Sequence, residues 1–371
     1  MVAGGVINIS GYMILTWANN FVMLMVGRTL SGFGMGLVVP SNLVYLGEVA
    51  SANIRGVLMT SLGVSHSIGS LLVYCIGPFT SYQVIGYVAI LICIIHLVGC
   101  FFLPESPLFY IIKDQEESAR EVLEYVGRNE GNGEELTNIV KNVKLSKEMT
   151  WRDMVTDKSN RRGFMVILPL FFNQEWSGIA TITFFSITIF KEAGSSVEPA
   201  LASIIIGATN LVGTLLVPGV IDRVGRRILL IFSTCGCAIS MFILGLYFFL
   251  NRYEYSIIDS IRWLPVVLMV LTSIFFTLGL NIVPNTLVGE LFRPNVRSVC
   301  SSIVLSTGFT SGLIASIAFG YIFEYLGIHV IFWIFAGVNT LGFLFTFFIV
   351  PETKGLTLLQ IEKMLGSEII K

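Results

Sequence analysis

Amide and ionisable side chains inside long apolar stretches are the groups of this sequence that could bind a ligand or carry a proton. Gln174 and Glu175 lie side by side in one such stretch, and His66 lies in another. A polar group removed from water costs free energy unless it is paired, so these side chains need partners or a wet cavity. An ionisable group at such a place indicates a solute or proton pathway. The alternative is that His66 is a packing histidine and that Glu175 is paired among the helices.

The composition indicates that these stretches are membrane helices. The chain has 371 residues, of which 54% are hydrophobic and 13% charged, and its mean hydropathy is +0.80. A soluble domain carries about 25% charged residues, so an all-α polytopic membrane protein is predicted. The net charge of -1 argues against nucleic acid as a partner. No P-loop is present, so ATP is not expected to drive the protein, and no covalent chemistry is implied.

The cysteines are interpreted as small buried packing residues. Cys235-x-Cys237 has neither the spacing nor the companion ligands of a metal site, and no metal or cofactor is predicted. All six cysteines fall in apolar stretches: Cys75, Cys93, Cys100, Cys235, Cys237 and Cys300.

Apolar segments of about 20 residues, the length that crosses the hydrocarbon core, occur four times before and six times after a charged run over 104–162. Apolar residues at helical spacing within that run predict water-soluble helices over 115–128 and 133–146. The predicted spans are about 2–17, 21–46, 57–79, 84–103, 164–190, 200–221, 228–250, 263–288, 298–322 and 330–350.

The distribution of Lys and Arg predicts the orientation of these spans. Apart from Arg28, which lies within the second span, most of them fall in one alternate set of connectors, and only Lys191, Arg252 and Arg262 fall in the other. Cytoplasmic connectors carry the excess of positive charge. Both termini and the charged run are therefore predicted to be cytoplasmic, in what we interpret as a plasma membrane protein.

Two stretches of the sequence repeat one another. In each, a Glu at the end of a span is followed at the same distance by an Arg, and two spans later by a Pro-Glu pair. Parallel repeats of this kind build two-lobed transporters with the solute site near the midplane between the lobes. The predicted divisions are an N-terminal lobe over 1–107, a helical linker over 108–163, a C-terminal lobe over 164–355 and a tail over 356–371. The repeated residues are Glu48, Arg55, Pro104 and Glu105 in the first half, and Glu290, Arg297, Pro351 and Glu352 in the second.

The two halves are unequal. The second has two further spans and a basic loop over 222–227 ahead of Glu290. The counterpart of that loop would lie upstream of Met1. We therefore expect two more apolar spans, followed by a similar basic loop, to be encoded upstream, and we expect the 371-residue chain alone not to transport.

Several motifs stand in order at the predicted helix boundaries: Gly27-Arg28 through Gly32, Gly34, Gly36 and Pro40; Tyr45, Glu48 and Arg55-Gly56; Pro104-Glu105-Ser106-Pro107; Asp222 with Arg226 and Arg227; Glu290-Leu291-Phe292 with Arg297; and Pro351-Glu352-Thr353-Lys354-Gly355. Together they resemble the sugar porter family of the major facilitator superfamily, the group of glucose and insect trehalose carriers. The resemblance implies that the four N-terminal spans correspond to the third to sixth helices of that family. Gly32 and Gly36 form a small-xxx-small pair, which predicts close helix packing there.

The charged residues of these motifs are expected to form a cytoplasmic clamp between the lobes. Each solvated ion pair contributes only about 0–1 kcal/mol, but a network that forms in one state alone shifts a two-state equilibrium. The alternative is that each charge caps a helix or follows membrane topology. The predicted members of the clamp are Glu48, Arg55, Glu105, Asp222, Arg226, Arg227, Glu290, Arg297 and Glu352.

The resemblance also implies a solute pocket, with departures from the family pattern. The motif Gln-Gln-x-Ser-Gly-x-Asn reads Gln-Glu-Trp-Ser-Gly-Ile-Ala over 174–180, so one amide is kept and the Asn is lost. A cavity Asn is matched by Asn210, a Trp that covers the sugar is replaced by Asn285, and His66 lies one turn beyond a cavity Gln that is Gly63. The implied solute-binding residues are Gln174, Glu175, Ser177, Asn210, His66, Asn281 and Asn285.

The sequence is therefore interpreted as a carrier that moves a small polar solute by alternating access, with a hexose or trehalose-like sugar as the implied substrate. It is not expected to be an enzyme, and its expected partners are the solute and the lipid bilayer. Three alternatives stay open: a carrier of a non-sugar solute, a non-transporting sensor-like homologue and a truncated homologue. Uniport and proton coupling are both open. The family's symporters bind the proton in their first helix, which has no counterpart among the spans predicted here.

Overall fold

The computed structural model describes residues 1–50, 55–113, 115–127, 158–195, 197–292, 294–356, 360, 361 and 364. Every regular element in these ranges is a helix. The chain divides into two compact units, Met1–Glu148 and Met149–Lys371. This division falls inside the predicted linker, and the exact lobe boundaries stay a prediction.

In the first unit, α1 packs against both α2 and α4. Glycine permits the close approach of α1 and α2: a Cβ on Gly11 would lie 2.7 Å from the Ser31 nitrogen, and one on Gly27 would lie 2.7 Å from Leu15 Cγ. Small residues let helix backbones come together in this way. The helices are α1 (Val2–Thr16), α2 (Phe21–Val49), α3 (Arg55–Ile76), α4 (Tyr82–Phe101), α5 (Pro107–Ile112) and α6 (Glu116–Tyr125).

The glycines that pack α2 are not those that the sequence suggested. A Cβ on Gly32 or Gly36 would meet nothing within 4 Å, so the predicted close packing at this pair is wrong for the described part of the chain. Gly27 and Gly34 lie seven residues apart and therefore share the face of α2 that meets α1. Gly32 and Gly36 lie on a different face.

The short helix α6 confirms the water-soluble helix predicted over 115–128. Its buried residues include Val122 and Leu123, two of the apolar positions that suggested it. The helix predicted over 133–146 lies outside the described residues.

The second unit contains eight α-helices and one short 3-10 helix, Ser256–Ser260, among the described residues. Two apolar cores fill it, one that includes Leu170 and Leu287 and another that includes Met241 and Phe332. The helices are α7 (Lys158–Glu175), α8 (Ile179–Glu192), α9 (Pro199–Val224), α10 (Arg226–Arg252), α11 (Leu264–Leu278), α12 (Val283–Leu291), α13 (Pro294–Tyr325) and α14 (Ile328–Phe348).

Two predicted spans are broken helices, which corrects the sequence analysis. The span predicted over 164–190 divides into α7 and α8 at Gly178, whose φ is 93°, a conformation that favours glycine. The span predicted over 263–288 divides into α11 and α12 after Gly279, and Pro284 lies in the first turn of α12. Proline is accepted there because the first N–H groups of a helix have no intrahelical partner.

Eight stretches of the described residues are long and apolar enough to cross a membrane. Helix α1, with 15 residues, is shorter than a crossing requires, as is α8, with 14 residues. The eight stretches are Phe21–Val49, Ser61–Phe79, Tyr82–Phe101, Pro199–Val217, Arg226–Arg252, Leu264–Leu291, Val299–Tyr325 and Ile328–Phe348. The predicted polytopic membrane fold is confirmed.

We expect Gly178→Ala to destabilise the second unit, because alanine strains a backbone of positive φ and its Cβ would lie 2.5 Å from Met241 Cε. The free energy of unfolding should fall by about 1–3 kcal/mol, measured as a lower thermal unfolding temperature in detergent. Gly289→Ala is the control, because Gly289 is helical and a Cβ there meets nothing within 4 Å. Equal stability of the two variants would contradict the strained break.

Candidate functional site

The N-terminus of α10 is capped by a carboxylate from far along the chain. Glu352 Oε1 accepts from the backbone N–H of Arg226 at 3.1 Å, and Glu352 Oε2 accepts from that of Arg227 at 3.1 Å. The first N–H groups of a helix carry partial positive charge and lack helical partners, so a carboxylate there is stabilising. Gly225, with a φ of 108°, leaves room for it, since a Cβ would lie 2.8 Å from Glu352 Oε2.

Beside this cap, Arg226 forms an ion pair with Glu290 of α12. Arg226 Nε and Nη2 each lie 3.1 Å from Glu290 Oε1, and the two side chains are only 14% and 21% exposed. The Thr353 hydroxyl donates to the other Glu290 oxygen. Because the pair is partly shielded from water, it is screened less than a solvated surface pair.

The segment 351–354 contacts the ends of three helices, α9, α10 and α12. In addition to the cap on α10 and the threonine bond to α12, Lys354 Nζ donates to the carbonyl oxygen of Arg223 at 2.6 Å. This carbonyl belongs to the last turn of α9, where a cation is favoured. Arg227 Nη2 donates to the carbonyl oxygen of Phe347, near the end of α14.

These contacts bring together part of the predicted clamp, within the second unit. The contacts are helix-end contacts, which was the alternative interpretation of these charges. The side chains of Arg55, Asp222 and Arg297 lie outside those described. Pairing across the lobes stays a prediction. The residues brought together are Arg226, Arg227, Glu290 and Glu352.

The first unit arranges the corresponding residues differently. Ser106, which corresponds in the repeat to Thr353, caps α5, because its hydroxyl accepts from the N–H of Phe109 at 3.2 Å. Glu105, which corresponds to the capping Glu352, is exposed. The cap described in the first unit is therefore local, whereas the cap from Glu352 comes from far along the chain.

The predicted pocket residues of α7 lie at the first helix break. Gln174 Oε1 is buried and has no hydrogen-bond partner among the described residues. The Glu175 carboxylate lies against α13, where a Cβ on Gly312 would be 2.5 Å from Glu175 Oε2. A buried acceptor left unpaired costs about 1–3 kcal/mol, so a ligand that donates to Gln174 would be favoured.

Ser177 belongs to the break itself. Its hydroxyl donates to the carbonyl oxygen of Gln174 at 2.8 Å and accepts from the N–H of Ile179 at 3.4 Å. These bonds satisfy backbone groups at the end of α7 and the start of α8. They favour a structural role for Ser177, and its predicted contact with solute stays a prediction.

The other predicted pocket residues occupy separate places. Asn210 Oδ1 on α9 accepts from the Thr277 hydroxyl on α11 at 3.5 Å. At the second break, Asn285 Nδ2 donates to the carbonyl oxygen of Asn281 at 3.1 Å, and the Asn285 side chain is exposed. His66 is exposed in the first unit. The structure therefore places Gln174, Glu175 and Ser177 at the first break and Asn281 and Asn285 at the second, and Asn210 contacts α11 close to the second break.

Two polar residues that the sequence analysis did not select also hold the first break. Trp176 Nε1 donates to Ser311 Oγ of α13 at 2.9 Å. Asn339 Nδ2 of α14 donates to the carbonyl oxygen of Ser177 at 3.1 Å. A single Asn in the apolar span 330–350 was a usable signal, because a buried amide is costly unless it is paired.

A comparison with models of protein families identifies the family of this chain. The family described as "Sugar (and other) transporter" matches residues 1–365. The chain belongs to this family. The facilitated trehalose transporter Tret1 of Polypedilum vanderplanki is 31% identical over 363 residues, which are 96% of this chain and 72% of that protein. Tret1 of Aedes aegypti is 30% identical over 96% of this chain, but the match spans only 45% of its own length.

Solved structures agree on the fold. The major facilitator superfamily proton:xylose symporter XylE, bound to 6-bromo-6-deoxy-D-glucose, matches with a TM-score of 0.78 and 22% identity over 98% of this chain and 82% of its own. The inward open form of XylE from E. coli matches with a TM-score of 0.78 and 22% identity over 98% and 81%. The predicted all-α fold of the major facilitator superfamily is confirmed, and the family membership agrees with a carrier and not an enzyme.

We expect Glu352→Gln to destabilise the second unit, because the neutral amide loses the charge at the start of α10 and turns an NH₂ towards backbone N–H donors. Charged hydrogen bonds contribute about 1.5–3 kcal/mol, so the thermal unfolding temperature in detergent should fall clearly. Glu324→Gln is the matched control, because Glu324 is exposed near the end of α13. If both variants unfold at the same temperature, the cap does not stabilise the unit.

Proposed function

We propose that this protein carries a sugar, a hexose or a trehalose-like molecule, across a membrane by alternating access. Its family and the Tret1 relatives support the proposal. The observation that carries it is the break between α7 and α8, where the buried oxygen of Gln174 has no hydrogen-bond partner within the described part of the chain. Helices broken near the middle of the membrane are typical of solute sites in secondary transporters.

A sugar suits this break because its hydroxyl groups both donate and accept. In the proposed site Gln174 accepts from one hydroxyl, and its NH₂ donates to another. Each such neutral bond contributes about 0.5–1.5 kcal/mol net, so several are needed. The proposed solute-binding residues remain Gln174, Glu175, Ser177, Asn210, His66, Asn281 and Asn285.

The proposed gate uses the charged residues at the helix ends. The contacts around segment 351–354 hold together helix ends of the second lobe, and this supports the proposal that these helix ends move together. Glu48 with Arg55, and Glu290 with Arg297, are proposed to add contacts that form in only one state of the cycle. Differential contacts of this kind shift the population between the two states.

A second candidate is a carrier of a non-sugar solute. It is favoured by Glu175, whose carboxylate lies within the broken helix and against Gly312. A negative charge at that place would suit a solute that carries an ammonium group. Uptake of an amine in place of all sugars would support this candidate.

The proposed topology follows the distribution of positive charge. Both termini and the linker are proposed to be cytoplasmic, and the membrane is proposed to be the plasma membrane. The proposed divisions are the N-terminal lobe over 1–107, the linker over 108–163, the C-terminal lobe over 164–355 and the tail over 356–371.

We expect Gln174→Ala to weaken the apparent affinity for trehalose or glucose by a few-fold to about tenfold, which corresponds to the loss of one neutral hydrogen bond. The measurement is binding of trehalose or glucose to the purified protein at graded sugar concentrations. Gln83→Ala is the matched control, because Gln83 is an exposed Gln on α4 of the other unit. Unaltered affinity in Gln174→Ala would exclude this residue from the site.

We expect an epitope tag inserted at Gln115 to be reached by antibody only after cells are permeabilised, and one inserted at Tyr255 to be reached in intact cells. The positive-inside rule assigns these two connectors to opposite sides. Detection of both tags after permeabilisation is the control. The reverse pattern would overturn the proposed orientation.

A further inference from the structure

At the first helix break, the backbone carbonyl of Ser177 accepts a hydrogen bond from α14. Asn339 Nδ2 donates to the carbonyl oxygen of Ser177 at 3.1 Å and to that of Phe335, in its own helix, at 2.8 Å. Asn339 is 0% exposed. Both partners are carbonyls, so the amide must turn its NH₂ towards them.

A second contact lies one turn further along α14. Asn173 is 3% exposed, and its Nδ2 lies within 1.7 Å of the place where a Cβ on Gly342 would stand. Residues three apart on a helix share a face, so Asn339 and Gly342 present one surface to the break. That surface touches residues 173 and 177, which bracket the pair Gln174 and Glu175.

A second helix, α13, also contacts the break. Ser311 accepts from Trp176 Nε1 at 2.9 Å, and Gly312 makes room for Glu175. Two helices therefore hold residues of the break. Of the two tethers, the bond from Asn339 alone reaches the backbone.

We propose that Asn339 is a positioning residue: by binding the Ser177 carbonyl it fixes the break, and with it the direction in which Gln174 presents its amide. This inference rests on the proposed function. An orphaned carbonyl in the apolar interior must find another donor, and continuation of α7 into α8 would provide one. Such a change would rotate residues 174–177 and move Gln174 away from its present place.

The first test needs no substrate. In a Gln174→Cys protein, the reaction rate with a small water-soluble methanethiosulfonate reagent reports how the position is held. Adding Asn339→Leu, which keeps the volume but removes the donor, should change this rate by about tenfold. Adding Thr340→Ala should leave it unchanged, because within the described residues the Thr340 hydroxyl bonds the Ala336 carbonyl of its own helix and does not reach the break. An unchanged rate with Asn339→Leu, in protein that is still folded by thermal unfolding, would overturn the proposal.

The second test measures whether the position of Gln174 affects solute binding, with trehalose and glucose as the probes. Asn339→Leu should weaken binding about as much as Gln174→Ala does, and the double variant should be no weaker than Gln174→Ala alone. Additive losses, or unaltered affinity in Asn339→Leu, would overturn the role of Asn339 in positioning Gln174. If neither sugar binds to the wild type while the labelling rate responds as expected, the proposed function fails and the positioning role stands.

Discussion

Backbone N–H and C=O groups inside a bilayer need partners within the protein, because hydrocarbon offers none. Regular helices meet this constraint along their length but not at their ends or breaks. The described contacts of the second unit concentrate at those places. Glu352 covers the start of α10, Lys354 covers the end of α9, and Asn339 covers the break between α7 and α8.

At the helix ends of the second unit, Arg226 takes part in both the helix cap and the ion pair. Arg226 offers its backbone N–H to Glu352 and its guanidinium to Glu290. A change at one of these groups therefore disturbs both the cap and the ion pair, and their energies are not additive. The helix ends that meet there are therefore held by interactions that depend on one another.

Hydropathy predicted most of the fold. The sequence motifs identified charged residues that meet at helix ends of the second unit, whereas the pairing that they predicted between the lobes stays a prediction. Hydropathy could not predict the break at Gly178, because the sequence over 164–190 is apolar on both sides of Gly178. Asn339 was missed for a related reason: one amide does not change the hydropathy of its span. The packing at Gly32 and Gly36 was predicted wrongly because spacing identifies a small-residue face but not which face meets a neighbour. Gln174 and Glu175 were found by motif, whereas the contacts that hold them depend on residues distant in sequence.

The cap on α10 has a consequence for biosynthesis. Glu352 lies 126 residues after the N–H group that it covers, which at about 5–20 residues per second is a delay of roughly 6–25 s. During that interval the start of α10 and the end of α9 have left the ribosome without the groups that later cover them. The second unit can therefore close on that side only after segment 351–354 has emerged, and a chaperone or the translocation machinery has that interval in which to hold the uncovered ends.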